Sequence, residues 1–205
     1  SKEVSKNVTV ALSGDGSDEI FGGYRKYIGE KWSYFGRNIP LFMRKFLISK
    51  LIENKDSKFG EFSRRLKRYL YNSSKNDISR HIQWLEQLNE TEIFLLLGHN
   101  HDSIENLFVD SRKGINEKIN AMLLGDLNIS LLGDMLVKLD RMSMANSLEI
   151  RSPFLDKELV EYAFLIPGNL KVGNLKGKKI LREAFTDRLP KWSSNLPKKG
   201  FEIPI

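Results

Sequence analysis

Three acidic residues and four glycines are concentrated in the stretch S-G-D-G-S-D-E-I-F-G-G, residues 13–23. The acids are Asp15, Asp18 and Glu19. Carboxylate oxygens are preferred ligands of Mg²⁺, and glycines let a backbone approach a phosphate closely. Carboxylates repel a bare phosphate, whereas a bridging cation removes that repulsion. The stretch therefore predicts a site for a nucleotide with Mg²⁺, in which the acids bind the metal or transfer protons.

Common phosphate-binding motifs do not account for this stretch. The chain has no G-x-x-x-x-G-K-[ST] loop, and Glu19 stands where a dinucleotide-binding G-x-G-x-x-G would have its third glycine. A structural alternative is that Ser17 caps a helix whose first turn carries Asp18 and Glu19, because acids there interact favourably with the helix dipole. Motif chemistry alone leaves both interpretations open.

The acid-and-glycine stretch follows a predicted strand and precedes predicted helices. N-V-T-V-A-L (7–12) is rich in β-branched residues and predicts a buried strand, and ligands of α/β sheets lie beyond the carboxyl ends of such strands. Apolar spacing and breakers predict helices over 40–52, 59–71, 77–88, 89–97, 114–127, 130–148, 156–166 and 175–185. The expected fold class is mainly α with one or few strands.

One predicted helix and the single predicted strand indicate how the core could be built. In the predicted helix 130–148, a helical apolar stripe predicts packing on a core; it consists of Leu132, Met135, Leu136, Leu139 and Met142. A lone strand must pair its backbone groups somewhere. Its partner strands therefore lie either outside this chain or in segments that the pattern assigns to loops.

Composition places the chain among globular proteins and removes several classes of function. Its 205 residues are 40% hydrophobic and 10% aromatic, and no apolar run approaches the roughly 20 residues of a membrane span. The absence of cysteine excludes disulfides, thiolate metal sites and cysteine nucleophiles. The N-terminal residues show no signal-peptide pattern, so we expect a cytoplasmic protein without membrane contact.

The net charge of +7 is unevenly distributed. The segment 25–75 contains 14 basic and 4 acidic residues, while the rest of the chain is nearly neutral. Such a segment could make the chain a non-enzymatic helical module that binds nucleic acid. The simpler interpretation is a set of solvated helix faces with lysine stems lying over the core. Aromatic residues are not interleaved with the basic ones in a stacking pattern, so we expect no nucleic-acid partner.

Three blocks of the sequence resemble one enzyme family. V-T-V-A-L-S-G-D-G-S-D-E-I-F-G-G-Y (8–24) closely resembles the S-G-[DE]-G-x-D-E-x-F-G-G-Y signature of the glutamine-hydrolysing asparagine synthetases. Residues 131–167, with L-V-K-L-D-R-M-S-M-A-N-S-L-E-I-R-S-P-F-L-D, resemble its second block. K-G-K-K-I-L-R-E-A-F followed by L-P-K-K-G-F-E-I-P resembles its downstream lysine-rich helix and loop.

The resemblance implies a fold and an activity. The family's synthetase domain is an ATP-pyrophosphatase α/β domain that uses Mg-ATP to adenylate the side chain of aspartate. Ammonia, which a separate N-terminal glutaminase domain releases from glutamine, then displaces AMP to give asparagine. We expect residues 1–205 to be the C-terminal part of the synthetase domain, with the glutaminase domain and the S-G-G-x-D-S pyrophosphate loop upstream in the same polypeptide.

The resemblance also assigns roles to individual residues. The expected contacts are ATP at Ser13 and Gly14, the adenylated intermediate at Asp15, Mg²⁺–pyrophosphate at Asp18, the substrate at Glu19, Glu149 and Arg151, and the phosphates at Lys198. An arginine fork suits the carboxylate of aspartate that does not react. Leu196 stands where the family's loop usually has arginine, and Asp15 is one methylene shorter than the glutamate of many members.

The missing upstream half of the site and the departures from the family pattern lead to further expectations about activity, substrate and assembly. Because half of the nucleotide site lies upstream, we expect this chain alone to be inactive. A family member that amidates a different carboxylate is an alternative within the same chemistry, and a degenerate remnant that retains the fold without activity is another. The exposed edge of a sheet fragment would also favour a homodimer.

Overall fold

The computed structural model of the chain describes residues 1–51, 58–86, 88, 90–99, 104–190 and 192. The chain divides into two compact units, Ser1–Ile28 with Asp110–Ile205 and Gly29–Val109. Within the described ranges, no helix is long and apolar enough to cross a membrane.

In chain order the elements are β1 (Val10–Leu12), α1 (Ser17–Phe21), α2 (Arg25–Arg37), α3 (Leu41–Lys50), α4 (Lys58–Asn72), α5 (Asp77–Leu85), α6 (Glu90–Leu97), α7 (Glu105–Ser111), α8 (Lys118–Gly125), a π-helix (Asp126–Met135), α9 (Leu136–Met144), β2 (Glu149–Arg151), a 3₁₀ turn (Pro153–Leu155), α10 (Lys157–Leu165), α11 (Gly168–Lys171) and α12 (Lys179–Ala184). The mainly helical class is confirmed, and the helices lie close to the predicted ranges where the apolar pattern is long.

The first unit contains a two-stranded parallel sheet. β1 pairs with β2 in a register that places Val10 beside Glu149 and Leu12 beside Arg151. β2 comes from the E-I-R segment, which the sequence pattern did not identify as a strand. The partner of β1 therefore lies within the chain, in a segment too short to show period-two alternation.

β1 is not buried, contrary to the prediction from its β-branched composition. Val10 is 42% and Leu12 74% exposed, and they share one face of the sheet with the exposed residues of β2. The physical reason is that a sheet buries a face only when another layer packs on it. In the described part of the chain, no such layer covers this face.

The core of the first unit forms where α1 packs against its C-terminal helices. Ile20, Phe21 and Ala163 are buried there, surrounded by partly buried side chains of the 3₁₀ turn, α10 and α12. The Phe21 and Phe154 rings meet edge to face at 6.2 Å between centroids. α1 is therefore held firmly although it has only five residues.

The predicted helix 130–148 is a π-helix that continues into α9. A π-helix advances by a different angle per residue, so positions spaced for an α-helix no longer share one face. Leu132 of the π-helix, predicted to lie in a core-facing stripe, is accordingly 52% exposed, whereas its neighbour Leu131 is fully buried. Met142 of the same predicted stripe lies in α9 and is 59% exposed. The predicted packing of the stripe is wrong at these positions.

In the second unit, a buried ion pair and a buried arginine connect the helices. Arg80 of α5 binds Glu30 of α2 with two hydrogen bonds of 2.6 Å, and both side chains are almost completely buried. Arg44 of α3 is also buried, and its guanidinium donates to the carbonyls of Gly36 and Ile39 at 3.3 and 3.0 Å. Part of the basic segment 25–75 therefore has a structural role.

Candidate functional site

The residues that follow β1 form a compact turn at the carboxyl end of the sheet. The Ser13 backbone N–H donates to the Arg151 carbonyl at 2.8 Å, which extends the pairing with β2 by one residue. The Ser13 hydroxyl donates to Asp15 Oδ2, and the Asp15 backbone N–H donates back to Ser13 Oγ at 3.1 Å. Two of the sequence-predicted site residues are thus brought into direct contact.

The glycines of this turn serve two different purposes. Gly16 has φ +85, and a Cβ there would lie 2.2 Å from a Leu155 methyl carbon, so local geometry requires glycine. A Cβ at Gly14 would have no neighbour within 4 Å. The fold of the described residues therefore does not require Gly14 to be glycine, and the open space beside it is available to a ligand.

Ser17 does not cap helix α1, contrary to the structural alternative considered from the sequence. Its N-cap is Gly16 in a left-handed conformation, and Ser17 is the first helical residue. The Ser17 hydroxyl donates to the Gly14 carbonyl at 2.8 Å rather than capping the helix from outside. Asp18 and Glu19 do occupy the first turn, as predicted, so they lie next to the positive end of the helix.

Asp18 lies beside a lysine from far along the chain. Its Oδ1 is 3.0 Å from Nζ of Lys178, which also donates to Ser17 Oγ at 2.8 Å. The Asp18 and Lys178 side chains are 18% and 22% exposed, and the Asp18 Oδ1 atom itself is buried. Sequence analysis missed Lys178, although K-G-K-K-I-L-R-E-A-F contributed to the family resemblance.

Glu19 lies on the buried side of α1. Its side chain is 1% exposed, and its Oε1 accepts a 2.7 Å hydrogen bond from the Tyr24 hydroxyl. Burial raises the pKa of Glu19 above its ordinary value, and the hydrogen bond from Tyr24 opposes this rise. Burial together with the neighbouring Glu19 carboxyl raises the pKa of Tyr24. The Glu19 carboxyl therefore does not line the turn occupied by Ser13 and Asp15.

A second buried polar cluster lies behind this helix, and sequence analysis did not find it. Asp126, which is fully buried, accepts hydrogen bonds of 2.7 Å from Lys26 Nζ and from the Tyr27 hydroxyl. Burial lowers the pKa of Lys26, and the Asp126 carboxylate opposes that shift. The available signal was one acidic residue inside the apolar run A-M-L-L-G-D-L. The cluster fixes the start of α2 against the π-helix.

Glu149 and Arg151 lie on the exposed face of β2. Arg151 Nε donates to Glu149 Oε1 at 2.7 Å, and the two side chains are 68% and 53% exposed respectively. The register places Arg151 beside Leu12, one residue before Ser13. The sheet therefore brings Arg151 to the same end as the Ser13–Asp15 turn. Lys198 and Leu196 lie outside the described residues.

A protein metal site without a substrate gathers several ligand side chains at one place. In the ranges that the structure describes, no three side chains of His, Asp or Glu gather as a metal site. Mg²⁺ commonly keeps its waters and binds through one or two carboxylates together with the phosphates of a substrate. Asp18 could supply one such carboxylate ligand to Mg²⁺ if the phosphates of a substrate supplied the others.

Comparison with known proteins supplies the family. The model of the asparagine synthase family matches residues 1–205. The chain belongs to the asparagine synthase family. The resemblance carried by the three sequence blocks is thereby confirmed, and the Ser13–Asp18 turn corresponds to the first of those blocks.

Curated relatives carry the same family name. The chain is 34% identical over 210 residues to asparagine synthetase [glutamine-hydrolyzing] 1 of Bacillus subtilis, covering all of this chain and 32% of the relative. It is 31% identical over 215 residues to a putative asparagine synthetase [glutamine-hydrolyzing] of Mycobacterium bovis, covering 31% of that protein. The chain thus spans about a third of the length of these relatives. No solved structure gives a significant match.

Proposed function

We propose that this chain is part of an ATP-dependent amide ligase that adenylates the side chain of aspartate and transfers ammonia to it, forming asparagine. The observation that carries the proposal is the family match over the whole chain, which includes the acid-and-glycine turn after β1. The contact between Ser13 and Asp15 supports it, because it fixes a polar turn at the carboxyl end of a parallel strand.

The proposed reaction has two balanced steps. A carboxylate oxygen of aspartate attacks the α-phosphorus of ATP and releases pyrophosphate, and ammonia then attacks the activated acyl carbon and releases AMP. Activation as a mixed anhydride divides one difficult substitution into two easier ones. ATP and Mg²⁺ are thus the proposed cofactors, and Mg²⁺ would neutralise charge on the departing pyrophosphate.

The nucleotide half of the site is assigned to the turn after β1. We assign Ser13 and the open space at Gly14 to contact with ATP, and Asp15 to the adenylated intermediate. Asp18 is assigned to the cation that ATP brings. The support is positional, because all four residues follow β1 within six residues, three of them in the turn before α1 and Asp18 in the first turn of α1.

The acceptor half is assigned to β2 and to the buried side of α1. Arg151 is proposed to bind the carboxylate of aspartate that does not react, after exchanging its present partner Glu149 for the substrate. Because the Glu19 carboxyl is buried against Tyr24, its contribution to substrate binding would act through the Tyr24 hydroxyl. Lys198 retains its proposed role at the phosphates from the family resemblance alone.

We further propose that the rest of the site belongs to a longer polypeptide. The support is the length of the relatives, about three times that of this chain, and the exposed apolar face of β1. In an ATP-pyrophosphatase α/β domain, further strands would pair beside β1, and helices packed on the enlarged sheet would cover that face. The glutaminase domain and the S-G-G-x-D-S loop would then be supplied by the same polypeptide.

An isotope-transfer experiment on the full-length protein tests the proposed function. Aspartate labelled with heavy oxygen in its side-chain carboxylate is supplied with Mg-ATP and ammonia, and the AMP formed is analysed by mass spectrometry. Adenylation predicts transfer of one heavy oxygen atom to AMP, with asparagine as co-product. Unlabelled AMP together with unchanged aspartate would contradict the proposal, while a label transferred only from another carboxylic acid would assign a different acceptor.

A further inference from the structure

An ammonium group contacts the carboxylate that the proposed function assigns to a divalent cation. Lys178 Nζ is 3.0 Å from Asp18 Oδ1 and donates to Ser17 Oγ at 2.8 Å. Both partners belong to the first unit, and each side chain is about one-fifth exposed. The ammonium thus contacts the one carboxylate that the proposed function assigns to Mg²⁺, and the contacted atom, Asp18 Oδ1, is itself buried.

The backbone is built to bring this lysine to Asp18. Lys178 has a φ of 53°, a left-handed conformation that is unfavourable for a non-glycine residue. Its N–H donates to the Gly22 carbonyl at 3.3 Å. A Cβ at Gly177 would lie only 2.2 Å from that same carbonyl oxygen. The chain before α12 therefore approaches the end of α1 at backbone-to-backbone distance.

Gly23 provides the space for the two side chains themselves. A Cβ at this position would lie 1.6 Å from Asp18 Oδ1 and 2.6 Å from Lys178 Cε. The position of the ion pair thus depends on the absence of a side chain at Gly23 and on the left-handed backbone conformation of Lys178. Geometry of this kind places the ammonium at one defined position rather than at the end of a freely moving surface lysine.

We propose that Lys178 is a specificity-determining residue that makes Asp18 reject a free divalent cation and accept one only in complex with a polyphosphate. This inference rests on the proposed function, which assigns Asp18 to the cation. A divalent cation on the other carboxylate oxygen of Asp18, Oδ2, would lie within a few ångströms of the ammonium, and like charges at that distance repel strongly. Phosphate oxygens bring negative charge that offsets this repulsion.

The consequence is an order of binding. Free cation competes with Lys178 for Asp18 and binds weakly, whereas the metal–ATP complex supplies its own counter-charge. Asp18 thereby remains in a fixed rotamer, neutralised by Lys178, until the complete nucleotide complex arrives. The positioning role of Lys178 is thus to hold the carboxylate and to set which form of the cation it accepts.

The test measures binding of Mn²⁺ alone and of Mn²⁺ with ATP to the full-length protein, by titration calorimetry and by electron paramagnetic resonance of the free ion. Lys178→Met should bind Mn²⁺ alone about tenfold more tightly, or better, because the competing charge is gone. Its affinity for Mn²⁺ with ATP should show no such gain. Lys179→Met, which removes an exposed charge from the adjacent residue, is the matched control and should leave both affinities unchanged.

Lys178→Gln provides a second variant, since a neutral side chain of this type can still donate a hydrogen bond toward Ser17. Circular dichroism identifies any variant that fails to fold. If both Lys178 variants fold and bind Mn²⁺ alone no more tightly than the wild type, the inference is wrong, although the proposed function stands. If Asp18→Asn leaves the affinity for Mn²⁺ with ATP unchanged, the assignment of Asp18 to the cation fails, and with it the inference.

Discussion

At the scale of single residues, Gly14 gives the most direct test of the nucleotide contact. Nothing in the described protein lies within 4 Å of the Cβ that it lacks, so Gly14→Ala should fold as the wild type does. If ATP packs on this position, the added methyl group should raise KM for ATP about tenfold or more. Steady-state kinetics of pyrophosphate release as a function of ATP concentration measures the effect.

Gly133→Ala is the matched control for this substitution. A Cβ at Gly133 also has no neighbour within 4 Å, but the residue lies in the π-helix, outside the turn after β1. Its KM for ATP should remain that of the wild type. Equal KM values for the two variants would place the nucleotide away from Gly14.

Lys171 predicts a pH dependence of stability. Its side chain is fully buried, its Nζ donates to Asn120 Oδ1 at 2.9 Å, and burial lowers the pKa of Lys171 from 10.5 to about 8. The unfolded chain binds the proton more tightly than the folded one. The free energy of unfolding should therefore be lowest below pH 8 and rise between about pH 8 and 10.5, by about 3 kcal/mol at most.

Urea unfolding of the wild type and of Lys171→Met across this pH range checks the prediction. The variant also loses the hydrogen bond to Asn120, so the change of its stability with pH is the quantity to compare rather than its absolute stability. The rise above pH 8 should be smaller in Lys171→Met. Parallel curves for the two proteins would mean that Lys171 keeps an ordinary pKa in the fold.

At the scale of elements, the Glu30–Arg80 pair connects α2 to α5. Removing one partner of a buried ion pair leaves an uncompensated charge, so Arg80→Ala should lower the free energy of unfolding by about 3–5 kcal/mol. The double variant Glu30→Leu with Arg80→Met removes both charges and should recover most of that loss. Denaturant unfolding of the three proteins measures this, and a double variant no more stable than Arg80→Ala would contradict the account.

The elements differ in how far the sequence determines them locally. α4 and α5 lie within a few residues of their predicted ranges, because an apolar period repeated over several turns is a local signal. β2 and α11 have three and four residues, too few for any period to show. A helix was predicted over 130–148, but the structure has a π-helix over Asp126–Met135 followed by α9, so neither the start of the helix nor its buried face was predicted.

The same distinction applies to the candidate site. Ser13 and Asp15 are two residues apart, so the motif that contains them named both as candidate site residues, and the structure places them in hydrogen-bond contact. Asp18 and Lys178 are 160 positions apart in the sequence, and their contact arises from the packing of α1 against the chain before α12. No local pattern carries that information. Likewise, the burial of Glu19 follows from its face of α1 rather than from its residue type.

At the scale of the whole molecule, the exposed face of β1 distinguishes this chain from a longer polypeptide. Leu12 is 74% exposed, so Leu12→Lys should change the stability of residues 1–205 by no more than about 0.5 kcal/mol. In a longer polypeptide that covers this face, the same substitution buries a charge and should destabilise strongly. Thermal unfolding of both forms measures the difference. Equal tolerance in both forms would contradict the proposed covering of β1.

The most direct test of the central claim is pyrophosphate release from Mg-ATP by the full-length protein, with ammonia present and aspartate added or omitted. Release should depend on aspartate, match asparagine in amount and be lost in Asp18→Asn. Release that ignores aspartate, or that persists in Asp18→Asn, would contradict the proposed function.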